Sequence, residues 1–107
     1  MAATQQTRVE FYNQCEYDLW LARNPDFSKI THVLAFDLSL VTALPDMPNV
    51  IEFMAINIPM LTAFPSMPNV IEFWAFNMPL VAVLPDMPNV KKFMADKHLT
   101  ELRSAVA

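Results

Sequence analysis

The chain has 107 residues, of which 54% are hydrophobic and 17% are charged, and its formal net charge is −4. This length corresponds to one small domain, and the high apolar content excludes intrinsic disorder. The acidic balance disfavours a nucleic-acid-binding protein, because phosphate binding requires clustered Lys and Arg side chains and the chain has only seven.

Residues 1–24 are predicted to form an N-terminal capping helix. Thr7-Arg8-Val9-Glu10 has the form of a capping box. An apolar stripe at helical spacing follows, formed by Phe11, Cys15, Leu19 and Ala22. We therefore expect an amphipathic helix that ends before Asn24-Pro25 and covers the first repeat, with Cys15 as a small buried hydrophobic residue.

The sequence predicts a protein without a membrane span, located in the cytoplasm. Cys15 is the only cysteine, so no disulfide can form within the chain and a reducing compartment is expected. Residues 1–6 have neither the basic patch nor the apolar run of a secretory signal. Prolines and Glu52 or Glu72 interrupt the most apolar windows, so none reaches the ~20 apolar residues of a membrane helix.

From residue 25 onward the sequence repeats itself every twenty residues. The equivalent positions include Val50, Val70 and Val90; Phe53, Phe73 and Phe93; Ala55, Ala75 and Ala95; and Pro45, Pro65 and Pro85. We divide the chain into four repeats, residues 25–44, 45–64, 65–84 and 85–104, followed by a tail at 105–107. A fixed period of this length predicts a solenoid, in which each unit buries its apolar face against its neighbours.

Each repeat is predicted to contain one short β-strand. Phe53 and Ala55 alternate with Glu52, Met54 and Ile56, which is the period-two pattern of a strand with two different faces. Prolines should lie outside the strand because they donate no backbone hydrogen bond. Stacked every twenty residues, the strands would form a parallel sheet, and the chain would return through extended or 3₁₀ segments. Polar residues at the strand exits are expected to satisfy backbone groups there: Asp37, Asn57 and Asn77.

The repeat resembles the leucine-rich repeat family, specifically its short, proline-containing twenty-residue class. Met47-Pro48-Asn49-Val50-Ile51-Glu52-Phe53-Met54-Ala55 is similar to that family's Leu-Pro-x-Leu-x-x-Leu-x-Leu core, and Phe76-Asn77-Met78-Pro79-Leu80 is similar to its Phe-Asn-x-Pro variant. Residues 94–102 resemble a closing repeat. The resemblance covers roughly residues 25–102 and implies an α/β repeat solenoid of parallel strands.

The strand face opposite the core is predicted to carry three columns of side chains. Two columns are mostly large and apolar, and their apolar members are Leu34, Phe36, Met54, Ile56, Trp74, Phe76 and Met94. Asp96 is predicted to continue the column of Phe36, Ile56 and Phe76. The third column contains His32, Glu52, Glu72 and Lys92. Exposed apolar patches mark interaction surfaces, so we interpret the seven apolar residues as partner-binding, with Trp74 as the anchor.

The sequence supports a non-catalytic protein-protein interaction module without cofactor or metal. His32 and His98 are far apart in the chain, and no nucleophile motif or His and Cys cluster is present. We interpret Glu52 and Glu72 as solvated carboxylates. The partner is another protein or a second copy, and alternatively the face is buried within the chain. A self-assembling structural repeat and a fragment or consensus-designed array without a natural ligand are further alternatives.

Overall fold

The computed structural model describes residues 8–106 and the side chains of residues 8–103. Within residues 8–106, five strands form one parallel sheet in sequence order. They are β1 (Arg8–Phe11), β2 (His32–Phe36), β3 (Glu52–Ile56), β4 (Glu72–Phe76) and β5 (Lys92–Ala95). The helical segments are α1 (Gln14–Ala22), a 3₁₀ helix (Phe27–Lys29) and α2 (Lys97–Val106). The α/β class and the parallel sheet are therefore confirmed.

Strands β2 to β5 pair in register at a spacing of twenty residues. Phe53 lies opposite Phe73, and Phe73 lies opposite Phe93. The Phe53 and Phe73 ring centroids are 5.5 Å apart, and those of Phe73 and Phe93 are 5.2 Å apart, with nearly parallel planes. Equivalent side chains consequently form continuous columns across the sheet.

Buried and half-buried residues alternate along β2, β3 and β4, as predicted. In β3, Phe53 and Ala55 are fully buried, whereas Glu52, Met54 and Ile56 are half-buried on the opposite face. The core on the buried face continues through the return segments, which contribute further apolar residues at twenty-residue spacing: Leu38, Ile58 and Met78; Val41, Leu61 and Val81; and Met47 and Met67. Together these rows form one hydrophobic core along the stack.

The N-terminal segment differs from the prediction, because it begins with a strand. Residues Arg8–Phe11 form β1, which pairs with β2 so that Arg8 lies opposite His32. Val9 and Phe11 are each 4% exposed, so this pairing buries both apolar side chains. The prediction of a capping box at residues 7–10 is therefore wrong, since residues 8–10 belong to a strand. Thr7 lies outside the described residues. The offset between β1 and β2 is 24 residues, which leaves room for α1 between them.

Helix α1 begins at a different cap. Asn13 is the N-cap, and its side chain accepts a hydrogen bond from the Glu16 amide at 2.9 Å. The Glu16 carboxylate in turn accepts a hydrogen bond from the Tyr12 amide at 2.7 Å. These two bonds satisfy backbone donors that the start of a helix leaves free.

The buried face of α1 also differs from the predicted stripe. Tyr17 and Trp20 are buried, whereas Cys15 is exposed and Leu19 is 58% exposed. The Phe11 ring lies 5.3 Å from the Tyr17 ring and 4.9 Å from the Trp20 ring, measured between centroids. Two aromatic rings bury more apolar area than a cysteine and a leucine, and this sets the orientation of the helix. The interpretation of Cys15 as buried is wrong.

Asparagines in the Pro-Asn sequences connect successive repeats. The Asn49 side-chain amide donates to the Ser28 carbonyl at 2.6 Å, and that of Asn69 donates to the Pro48 carbonyl at 3.0 Å. Backbone bonds continue the ladder before each strand, such as the Ile71 amide to the Ile51 carbonyl at 2.7 Å. The proline-rich returns are therefore held by hydrogen bonds from repeat to repeat.

The strand exits adopt a left-handed backbone conformation. Asp37, Asn57 and Asn77 have φ angles of 59°, 62° and 62°. Asn and Asp tolerate this conformation better than other residues with a Cβ atom, and the chain contains no glycine. The Asn57 side chain donates to the Asp37 carboxylate at 2.8 Å. This contact joins two side chains and differs from the predicted contacts with backbone groups.

The C-terminal end of the stack is less completely covered than its centre. Phe53 and Phe73 are fully buried, but Phe93 is half-buried, with the Arg103 guanidinium 4.8 Å above its ring. Helix α2 places Leu99 in the core at 0% exposure. The predicted tail at 105–107 is helical up to Val106, and residue 107 lies outside the described part. Helix α2 therefore covers this end only in part.

Candidate functional site

The register of the sheet places the residues of each predicted column next to one another on neighbouring strands. His32, Glu52, Glu72 and Lys92 form one column, which we call the charged column. Leu34, Met54, Trp74 and Met94 form the central column, and Phe36, Ile56 and Phe76 form the exit column. Neighbouring columns are two residues apart along each strand, or about 7 Å.

The apolar side chains of this face are accessible only in part. Met94 is 43% exposed, and the other six predicted site residues are half-buried. Among the described contacts, both helices direct their buried side chains toward the core, as Trp20 and Leu99 show. The central and exit columns therefore form a continuous apolar surface with limited exposure of each member.

The side chain of Lys92 lies over the ring of Trp74, the predicted binding anchor. The Lys92 ammonium nitrogen is 5.0 Å from the centre of the Trp74 ring. A cation over the face of an indole is attracted by the electron-rich ring. Lys92 therefore lies between the charged column and the central column and fixes positive charge at the C-terminal side of the face.

Two carboxylates lie side by side in the centre of the charged column. Glu52 and Glu72 are register partners on neighbouring strands, which lie about 4.8 Å apart. Neither carboxylate forms a salt bridge or a hydrogen bond with another residue of the described region. His32, their neighbour, has its Nδ1 atom 2.8 Å from the Thr31 hydroxyl. Glu52 and Glu72 therefore form a pair of neighbouring negative charges. The register places a cation at each end of the column, since Arg8 lies beside His32 and interacts electrostatically with Glu52, and Lys92 lies beside Glu72.

Strand β1 extends the strand face by one row that sequence reasoning missed. The Tyr12 ring stacks on the Phe36 ring at a centroid distance of 5.4 Å. The Tyr12 hydroxyl donates to Glu10 at 2.6 Å, and Arg8 Nε donates to the same carboxylate at 2.7 Å. The Tyr12 bond and then the Arg8 bond hold the pKa of Glu10 below its ordinary value. The alternation of Arg8, Val9, Glu10 and Phe11 was the available sequence signal.

Asp96 was predicted to continue the exit column, but it lies outside the strand ladder. Its carboxylate accepts a hydrogen bond from the Asn77 amide at 2.6 Å, and its own amide donates to the Ala75 carbonyl at 3.2 Å. Asp96 therefore connects the end of β4 to the start of α2, where its carbonyl accepts from the Thr100 amide at 3.0 Å, and the exit column ends at Phe76.

A second set of apolar residues, missed as a candidate surface, lies on the turns after the strands. Leu40, Met60 and Leu80 are 73%, 46% and 49% exposed. They are equivalent positions at twenty-residue spacing, and this spacing was the signal in the sequence. These residues are more exposed than the central and exit columns, and they offer a useful comparison for binding experiments.

The described residues contain no group of three or more His, Cys, Asp or Glu side chains arranged to hold a metal ion. His32 and His98 lie on different elements, β2 and α2. Within residues 8–106, no helix has the length and apolar character needed to cross a membrane. Comparison of the chain with family models, curated proteins and solved structures gives no match.

Proposed function

We propose that this protein is a non-catalytic interaction module that binds another protein through its strand face. The stack would be a leucine-rich-repeat-like solenoid of the short twenty-residue class, which is the class that its Met-Pro-Asn-Val-x-x-Phe-x-Ala sequences resemble. The chain has one cysteine and can form no internal disulfide, which suits a cytoplasmic protein.

The observation that supports this proposal is the in-register column of large apolar side chains on a sheet face that the described helices leave free. Trp, Met and Phe are enriched in the cores of protein interfaces, and a sheet of paired strands holds them in fixed positions. Trp74 lies in the middle of the apolar surface, next to Met54 and Met94 in the register. We therefore assign Trp74 as the binding anchor.

The test is a comparison of two variants in affinity capture followed by mass spectrometry. Trp74→Ala removes the proposed anchor, whereas Leu40→Ala removes a more exposed apolar side chain outside the strand face. We expect wild type and Leu40→Ala to capture the same specific protein, and Trp74→Ala to lose it. Trp74→Ala also removes a half-buried ring and its contact with Lys92, so it should unfold at a lower temperature than the other two proteins, and capture is measured at a temperature where all three are folded by circular dichroism. Equal capture by the two variants would contradict the assignment of the strand face.

A second candidate function is self-assembly, and it is favoured by the incomplete cover at the C-terminal end. A groove of about 420 Å³ lies between the last return segment and α2, and Val83, Leu84, Met87 and Leu102 contribute to its walls. Val83 is 55% exposed, and the other three are half-buried. Stack ends with poor cover favour contacts between copies. Light scattering across a dilution series tests this candidate, and a monodisperse monomer at high concentration would rule it out.

A further inference from the structure

The strand face combines an apolar surface with a negative centre along one side. The central column supplies Met54 and Trp74, and the charged column places Glu52 and Glu72 directly beside them on the same strands. Arg8 and Lys92 lie at the two ends of the charged column, and Arg8 is paired with Glu10 at 2.7 Å, so the negative charge of the face is concentrated at Glu52 and Glu72. A ligand on this face therefore needs apolar side chains facing the central column and positive charge toward the glutamates.

The distance between neighbouring strands favours a ligand that lies across the sheet as an α-helix over one that crosses it as an extended chain. Neighbouring strands are about 4.8 Å apart, and an α-helix lying across them advances 5.4 Å per turn. An extended peptide places side chains on one side every ~6.7 Å, so beyond the first strand its side chains no longer lie opposite successive strands. A helix of three turns, about eleven residues, matches the four strands from β2 to β5 with a mismatch of only about 2 Å.

The arrangement of charges limits the ligand further. Basic residues at positions i and i+4 of a helix lie about 5–6 Å apart, close to the spacing of Glu52 and Glu72. A third basic residue, one turn further, would meet Lys92, which occupies the next position of the charged column. Two basic residues, followed by a neutral or acidic one, therefore fit this side of the face.

We propose that the partner segment is an amphipathic α-helix with an apolar stripe on the central and exit columns and two basic residues facing Glu52 and Glu72. This inference rests on the proposed function, since it specifies the ligand of the same face. A second copy of the chain does not offer such a helix among its described elements. Helix α1 carries Glu16 and Asp18, and α2 uses Leu99 in its own core.

The test uses two fluorescein-labelled synthetic helical peptides that share one apolar stripe. The first carries Lys at positions i and i+4 beside the stripe, and the second carries Glu at both positions. Fluorescence anisotropy with the full chain should give a dissociation constant about tenfold lower for the Lys peptide at low salt. This preference should shrink as ionic strength rises, because the charges lie at the protein surface.

Paired variants assign the preference to the two glutamates. The double variant Glu52→Gln and Glu72→Gln should reduce the tenfold preference to less than about twofold. The control Asp86→Asn and Glu101→Gln changes the net charge equally at exposed sites outside the strand face, and it should keep the preference. An unchanged preference in the glutamate variant would overturn the inference.

The remaining outcomes separate this inference from the proposed function. Equal binding of both peptides, lost in Trp74→Ala, would overturn the basic helix while keeping the strand face as a binding site. Failure of both peptides would overturn the inference, and capture of a protein that depends on Trp74 would still support the interaction module. A dimer in sedimentation experiments that Trp74→Ala converts to monomer would show that a second copy occupies the face.

Discussion

Replacing Phe73 with leucine is expected to destabilise the protein more than the same replacement at Phe93. The two residues are equivalent in sequence and lie in the same column of the sheet. Phe73 is fully buried and contacts three aromatic rings, those of Phe53, Phe64 and Phe93, at centroid distances of 5.5, 5.0 and 5.2 Å. Phe93 is half-buried and contacts the Phe73 ring and the Arg103 guanidinium.

The expected magnitudes follow from these contacts. An aromatic pair contributes about 0.5–1.5 kcal/mol beyond the area that it buries, and leucine preserves most of the apolar volume. Loss of three ring pairs predicts a decrease of about 2–3 kcal/mol in the unfolding free energy for Phe73→Leu. Loss of one ring pair and one partly exposed cation-π contact predicts about 1 kcal/mol for Phe93→Leu. The corresponding melting temperatures should fall by roughly 10–15 °C and 5 °C.

Urea denaturation followed by circular dichroism measures both changes, and equal m-values would show that the unfolding transition exposes the same surface. Met94→Leu serves as a control at a 43% exposed position, where the expected change is below about 0.5 kcal/mol. Equal losses for the two phenylalanine variants, or a larger loss for Phe93→Leu, would refute the view that ring contacts and burial increase toward the middle of the stack.

Three further predictions concern the backbone, a carboxylate and the cysteine. Asn77→Ala should lower the unfolding free energy by about 1 kcal/mol, whereas Asn77→Gly should stay within about 0.5 kcal/mol, because φ is 62° there; equal effects in thermal denaturation would contradict this. Tyr12→Phe should raise the pKa of Glu10, measured by NMR titration, and an unchanged pKa would exclude the hydroxyl as its main cause. Since that pKa is lowered in the folded state, the stabilisation by Glu10 is present above the ordinary pKa near 4.5 and disappears as pH falls through the lowered value. Cys15 should react with a thiol reagent in the native protein as rapidly as in urea, and slow native reaction would show that it is protected.

The repeating part of the fold was predictable because its local signals agree with each other. Alternation placed Phe53 and Ala55 on one face of a strand, and the twenty-residue period placed Phe73 beside Phe53. The structure has both features. Prolines marked the strand limits, since Pro48 and Pro59 lie outside β3. The chemistry of the strand face followed from the same register, whereas its binding role stays a prediction.

The N-terminal segment was not predictable in the same way, because two local patterns compete there. Thr7-Arg8-Val9-Glu10 fits a capping box, but Arg8–Phe11 also has the alternation of a strand. Pairing with the open edge of β2 decides between them, and this is a long-range contact. Asn13-Gln14-Cys15-Glu16 was the better helix-start signal, since Asn13 and Glu16 both accept backbone hydrogen bonds at the start of α1.

At the strand exits, the sequence predicted the kind of residue but not its backbone conformation. The sequence identified Asp37, Asn57 and Asn77 as polar residues with a structural role, but it did not show that their backbone is left-handed. In a chain without glycine, Asn and Asp are the residues best suited to positive φ, and a fourth example is Asn24 at 52°. The absence of glycine was therefore a stronger signal than the polar character of the side chains.

The uneven cover of the stack has a consequence for its motions. Amide protons in the ladder between β3 and β4 lie beneath fully buried side chains, so their exchange with solvent requires opening of the centre of the molecule. Strand β5 and helix α2 are held by fewer buried groups, so we expect them to open while the centre stays folded. Deuterium should therefore enter from the C-terminal end first and reach the Phe53 and Phe73 amides last.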